Sequence, residues 1–257
     1  MVSLAAAPEK RDILLGKGHM SGGQQHNLWF VNGSVRSGKV CVYHDKSNVK
    51  SNDLDLDVLA WMLTGANPSV VVQFTWTIDY NFAWFNYESP RSQEFKPADL
   101  STTNSIVLSH NQYGFYFQQP QSVSVNQQLL ISEDDSLPSV NNAVVGIGMH
   151  DAGTFGAAVT PNNKLTFTPA TKLSYWISFG QYTFEVNDPL IISTLNNPGK
   201  ISFPYGVYTM TATLNQDNTW TIKVGQPSQE VVAQAQASRC LHYEAGKGVM
   251  LESNLDY

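Results

Sequence analysis

Between residues 70 and 85 a large apolar or aromatic side chain falls on every second position: Val70, Val72, Phe74, Trp76, Ile78, Tyr80, Phe82 and Trp84. Gln73, Thr75, Thr77, Asp79 and Asn81 occupy positions between them. Side chains alternate across a β-strand, so a period of two gathers the even series on one face, whereas a helix would scatter these aromatics around its axis. The pattern predicts one long strand over 70–85, its even face in the core and its odd face towards solvent or a ligand.

Shorter runs of the same kind, punctuated by Pro and Gly, follow at 105–109, 113–118, 122–125, 129–132, 143–149, 156–159, 164–168, 175–185 and 200–203. Two hairpins are expected, one joining 28–31 to 39–44 through Asn32-Gly33-Ser34, the other joining 207–214 to 219–224 around Gln216-Asp217-Asn218. The stretch 51–65 reads as strand or short helix, with strand favoured over 58–63. Short strands separated by turn residues indicate an all-β, two-sheet antiparallel β-sandwich, jelly-roll-like, rather than a βαβ fold. The expected organisation is a Gly-rich N-terminal arm over 1–26, a sandwich domain over 27–225, and a tail over 226–257. In that tail Ser228 would cap a short helix running to Ala235.

Charged residues are 14% of the 257 positions, against roughly 25% in an average domain. Asn, Gln, Ser and Thr carry the polar surface instead, which suits hydrogen bonding to sugars or close association of copies. A net charge of -6 and the lack of a basic run argue against nucleic acid and anionic membranes. No apolar stretch is long enough for a transmembrane helix, and residues 1–10 lack the pattern of a signal peptide. The expectation is a cytoplasmic protein, one exported by a non-classical route, or one numbered after processing.

Few residues form a chemical signature. Cys41 and Cys240 are too few and too far apart for a disulfide framework or a zinc knuckle; Cys41, in a strand-like run, suits a buried thiol. Asp53, Asp55 and Asp57 resemble the start of a calcium loop, but Val58 stands where Gly is needed and Thr64 where Glu is needed. His44-Asp45 and His150-Asp151 are adjacent pairs, and neighbours on a strand point to opposite faces, so neither chelates unless it lies in a loop. Gly146-Ile147-Gly148 lacks the third glycine of a dinucleotide fingerprint, and no nucleophile elbow occurs. No metal or cofactor is expected.

Asp79 is the foremost single carboxylate, with Glu88 or Glu185 as acid-base partners only by conjecture. A sugar site needs aromatics to stack on C–H faces beside amides and a carboxylate; Asp79, Asn81, Trp84, Tyr87, Asn111, Tyr113 and Tyr116 form that candidate set. Trp176, Gln181 and Tyr182 offer the same mixture, although core packing is the commoner role of a strand-borne aromatic. The leading expectation is a non-enzymatic, lectin-like recognition or self-assembling protein whose partner is a glycan or its own copies in a homo-oligomer. The alternatives are a β-rich pore-forming or insecticidal-type toxin, and a sandwich glycoside hydrolase using Asp79.

Overall fold

The computed structural model describes residues 23–88, 91–125, 127–236 and 240–250. Most of the arm expected over 1–26 therefore lies outside the described residues. Within them the chain is nearly all β, arranged as four sheets of six, five, five and four strands.

The six-stranded sheet runs in the order Trp220–Val224, Thr209–Leu214, His26–Asn32, Val71–Trp76, Cys240–Glu244, Gly248–Met250. Its inner face, with Leu28, Phe30, Phe74 and Met210, packs on Val40, Val42, Ile177 and Phe179 of the four-stranded sheet. The reverse face of that smaller sheet contributes Cys41 and Tyr43 to a second core. There Ile106, Leu108, Ile131 and Phe167 of one five-stranded sheet meet Phe82, Val145, Ile147 and Phe155 of the other. The result is an all-β, sandwich-like fold in which the four-stranded sheet is shared by both cores.

Residues 70–85 are two strands rather than one. Val71–Trp76 lies in the six-stranded sheet, Tyr80–Asn86 pairs with Ala143–Met149 in a five-stranded sheet, and residues 77–79 turn the corner between them. The even series is buried from Val70 to Trp76 and again at Phe82 and Trp84, but Ile78 is 42% exposed at the corner. The odd face is largely covered too, because Val71, Ala83 and Phe85 interrupt its polar run. Val71 packs with Val31, and Phe85 with Leu59 and Val144. Asp79 is consequently a corner residue and not a mid-strand one.

The expected hairpin through Asn32-Gly33-Ser34 does not form, since His26–Asn32 and Gly38–His44 belong to different sheets. Asn32 is fully buried, and its side-chain Nδ2 donates to the carbonyls of Arg36, Ala66 and Asn67, fixing a crossover instead of a tight turn. The later hairpin is present, Thr209–Leu214 against Trp220–Val224. Gly146 has a steric purpose: a Cβ there would lie 2.0 Å from the Phe155 carbonyl oxygen across the pair. The helix expected after Ser228 spans Gln229–Gln236, with the Val231 amide donating to Ser228 Oγ. Beyond it Cys240–Glu244 and Gly248–Met250 return to the six-stranded sheet, so the tail extends the fold. Cys41 and Cys240 are not bridged.

At the junction of the cores His44 is enclosed by Trp61, Phe155 and Tyr175. Asn48 Nδ2 donates to His44 Nδ1 at 3.1 Å, leaving the proton on Nε2, which has no partner among the described residues. Burial lowers its pKa to about 3, so the ring is neutral.

Candidate functional site

The corner at 77–79 meets two other turns. Met149 pairs with Ala152, so His150-Asp151 is a two-residue hairpin loop with φ of 54° and 55°. Left-handed conformation at both positions is the geometry of a type I′ turn, which usually takes Asn-Gly; a His-Asp pair holds it at a conformational cost. Against it lies the Ala245–Lys247 turn, where Gly246 has φ of 74° and a Cβ would fall 2.6 Å from the His150 carbonyl oxygen. Only a glycine permits that approach.

His150 bridges the three segments. Nδ1 faces Thr77 Oγ1 at 3.0 Å and Asp79 Oδ1 at 3.4 Å, while Nε2 faces Glu244 Oε1 at 3.2 Å. Thr77 Oγ1 donates to Asp79 Oδ1 at 2.5 Å, so it accepts from His150, and both ring nitrogens act as donors. Lys247 Nζ adds a bond to Glu244 Oε1 at 2.7 Å. The Asp79 hydrogen bond, opposed by burial and aided by Glu244, raises the His150 pKa above its ordinary value. Burial works against ionisation of both carboxyls, but His150 and Thr77 hold Asp79, and Lys247 and His150 hold Glu244, below the usual carboxylate range. The assembly sets an imidazole between two carboxyls, which favours its protonated form.

Beside this clamp lies a cleft of about 240 Å³ lined by Gln25, Thr75, Trp76, Thr77, His150, His242 and Glu244. Thr75 Oγ1 lies 3.3 Å from His242 Nε2, and Trp76 is held from behind by its indole N–H donating to Tyr175 Oη at 3.3 Å. Thr77, His150 and Glu244 superficially match a nucleophile, base and orienting acid. The proton placement removes the match, since Thr77 already donates to Asp79 and a doubly donating His150 has no lone pair to accept its proton. The two carboxyls also shift the same way. They do not divide into the raised-pKa acid and ionised partner that glycoside hydrolysis requires.

Of the seven residues singled out from sequence none lines this cleft, and Asp79 alone joins the clamp beside it. Asn81 is 2% and Trp84 5% exposed; the Trp84 indole donates to Glu94 Oε2 at 3.1 Å within the core side of its sheet. Tyr87 Oη donates to the Asn187 carbonyl, and the Arg91 guanidinium lies over the Tyr87 ring. Asn111, Tyr113 and Tyr116 cluster separately in the hairpin of Ser105–Asn111 and Gly114–Phe117, with Tyr113 89% exposed. Trp176 donates to Asp45, Tyr182 lies against Ser178, and Gln181 Nε2 donates to the Ser37 carbonyl, so that second group braces loops. The sequence reading missed Gln25, Thr75, Thr77, His242 and Glu244. Only the His150-Asp151 pair carried a local signal, as adjacent polar residues able to act together only from a loop. Among the described residues no three His, Cys, Asp or Glu side chains form a metal-ligand cluster.

Fold and cleft together define an all-β sandwich protein with a small polar cleft where three turns converge. The chain belongs to the RhiA family, whose model matches residues 23–225. It is 28% identical over 218 residues to the protein RhiA of Rhizobium leguminosarum bv. viciae, a match covering 80% of this chain and 90% of that protein. No solved structure matches it significantly. The family match ends at Gly225, so His242 and Glu244, one wall of the cleft, lie beyond it. Among the described residues no helix is long and apolar enough to cross a membrane.

Proposed function

We propose that this protein is a non-enzymatic recognition module that binds a neutral, hydroxyl-rich ligand, a glycan, in the cleft beside His150. The observation that carries this reading is the cleft's polarity without unpaired charge. Its lining offers hydroxyls, an amide, imidazoles and a carboxylate, and the carboxylate is already matched by His150 and Lys247. Such a lining exchanges hydrogen bonds with sugar hydroxyls and gives little attraction to ions. The volume is below the roughly 300 Å³ at which drug-sized pockets begin, which suits a single ring. Glycan-array binding without turnover is the expected result, with Thr75→Val lowering affinity by about tenfold, one lost hydrogen bond in a partly desolvated site. Silence of the full chain across the array overturns the reading.

Self-association is the second reading, favoured by the two edges of the six-stranded sheet that no strand covers among the described residues. Val224 is 59% exposed on one edge strand, and Val249 and Met250 are 42% and 47% exposed on the other. Open apolar edges are templates for another strand. Light scattering across a concentration series should show mass rising with concentration, and Val224→Lys should reverse it; a constant monomer mass excludes this mode.

A further inference from the structure

We propose that the cleft is one end of a longer groove, and that the ligand is a linear neutral oligosaccharide running from the cleft onto Trp29 across the outer face of the six-stranded sheet. This deepens the glycan reading and rests on it. The strand register supplies the placement. Trp29 stands opposite Thr211 on one side and Gln73 on the other, and Gln73 stands opposite His242. In the next row Asn27 stands opposite Thr75, which lines the cleft. Leu28 and Phe30 point into the core, so their neighbours Asn27 and Trp29 share the outer face. Trp29 and Thr75 are diagonal cross-strand neighbours, about 7–8 Å apart, adjacent without overlapping.

The indole nitrogens separate Trp29 from the other tryptophans. Six are present, and five donate within the fold: Trp61 to Met149, Trp76 to Tyr175, Trp84 to Glu94, Trp176 to Asp45 and Trp220 to Asn197. Among the described residues Trp29 has no such partner. Trp29 is half-buried and packs against the cluster of Val31 and Val71, on which Val231 of the helix Gln229–Gln236 also packs. An anchored ring with an unspent donor presents a sugar with a stacking face and a hydrogen-bond donor at once. Its neighbours Asn27, Gln73 and His242 supply amide and imidazole groups, and Gln73 Nε2 donates to Asn27 Oδ1 at 3.0 Å, which fixes both amides; Thr211 on the other side is buried, its hydroxyl donating to the Gly225 carbonyl. The row from Thr211 through Trp29 and Gln73 to His242 carries no acidic or basic side chain, Lys223 standing one strand beyond Thr211 and Glu244 in the next row beside Thr75, so the row itself matches an uncharged chain of rings.

Calorimetric titration with linear glucans, mannans, galactans and xylans, each from monomer to hexamer, tests the groove. At least one series should gain about tenfold or more in affinity between monomer and trimer. Trp29→Ala should abolish that gain and leave monomer binding unchanged. Trp29→Phe, which keeps the packing and the stacking face but loses the donor, should keep part of it and serves should Trp29→Ala fail to fold. Monomer binding with no dependence on length, or a length dependence that survives both substitutions, overturns the groove and spares the cleft. No binding by any member overturns both.

Discussion

Deletion of residues 226–257 is expected to lower the melting temperature by roughly 10 °C or more and to convert the protein into larger species. Cys240–Glu244 pairs in parallel with Val71–Thr75, and its Tyr243, 3% exposed, reaches the inner core against Phe74. Removing it strips a large aromatic from that core, worth about 1.5–3 kcal/mol, and takes the strand ladder and the Glu244 arm of the clamp with it. Val71–Trp76, a strand rich in buried apolar residues, then becomes a bare edge of the kind that pairs with other chains. Scanning fluorimetry and size-exclusion chromatography on the truncated and full chains measure both effects. An unchanged melting temperature with unchanged elution would show that the tail is an accessory and that the family-matched region is self-sufficient.

A second large effect is expected in acid, beginning near neutrality. Burial lowers the pKa of His44 to about 3, so between about pH 6.5 and 3 the unfolded chain binds a proton that the folded chain refuses. Stability therefore falls as pH drops through that window, by an amount on the order of several kcal/mol at its end. His26, also lowered by burial, acts in the same direction. His150 has the opposite sign. Its pKa is raised in the fold, so its contribution is complete below its unfolded value near 6.5 and is lost as pH rises through the folded value. Asp79 and Glu244, held down, lose theirs only as pH falls below the usual carboxylate range. Melting temperature against pH should be a dome. His44→Met should flatten its acid side between pH 6.5 and 4, whatever the baseline stability, and His150→Gln should flatten its alkaline side. Curves parallel to the parent protein would contradict the assignment.

The sandwich was legible because alternation is local, and each strand carries it in its own residues. The corner was not. Thr77, Ile78 and Asp79 keep the period of two through the bend, and only the apolar odd residues Ala83 and Phe85 hint that the second half is buried on both faces. Asn32-Gly33-Ser34 misled for the same reason, since turn chemistry was present but the buried contacts of Asn32 with Ala66 and Asn67 come from a distant segment. The cleft is still less local. It draws on residues near 25, 75, 150 and 243, and no spacing rule joins a type I′ turn to a C-terminal strand pair. Asp79 was found through its isolation as a carboxylate among Thr and Asn, without sight of its partners.

The corner also has a mechanical meaning. Three residues carry the chain from one core directly into the other, and their middle side chain faces solvent while Thr77 and Asp79 on either side grip His150. Thr77 lines the cleft, so the cleft borders a link between the two cores. One three-residue bend therefore serves scaffold and cleft together, joining Val71–Trp76 to Tyr80–Asn86 while it holds Thr77 against His150.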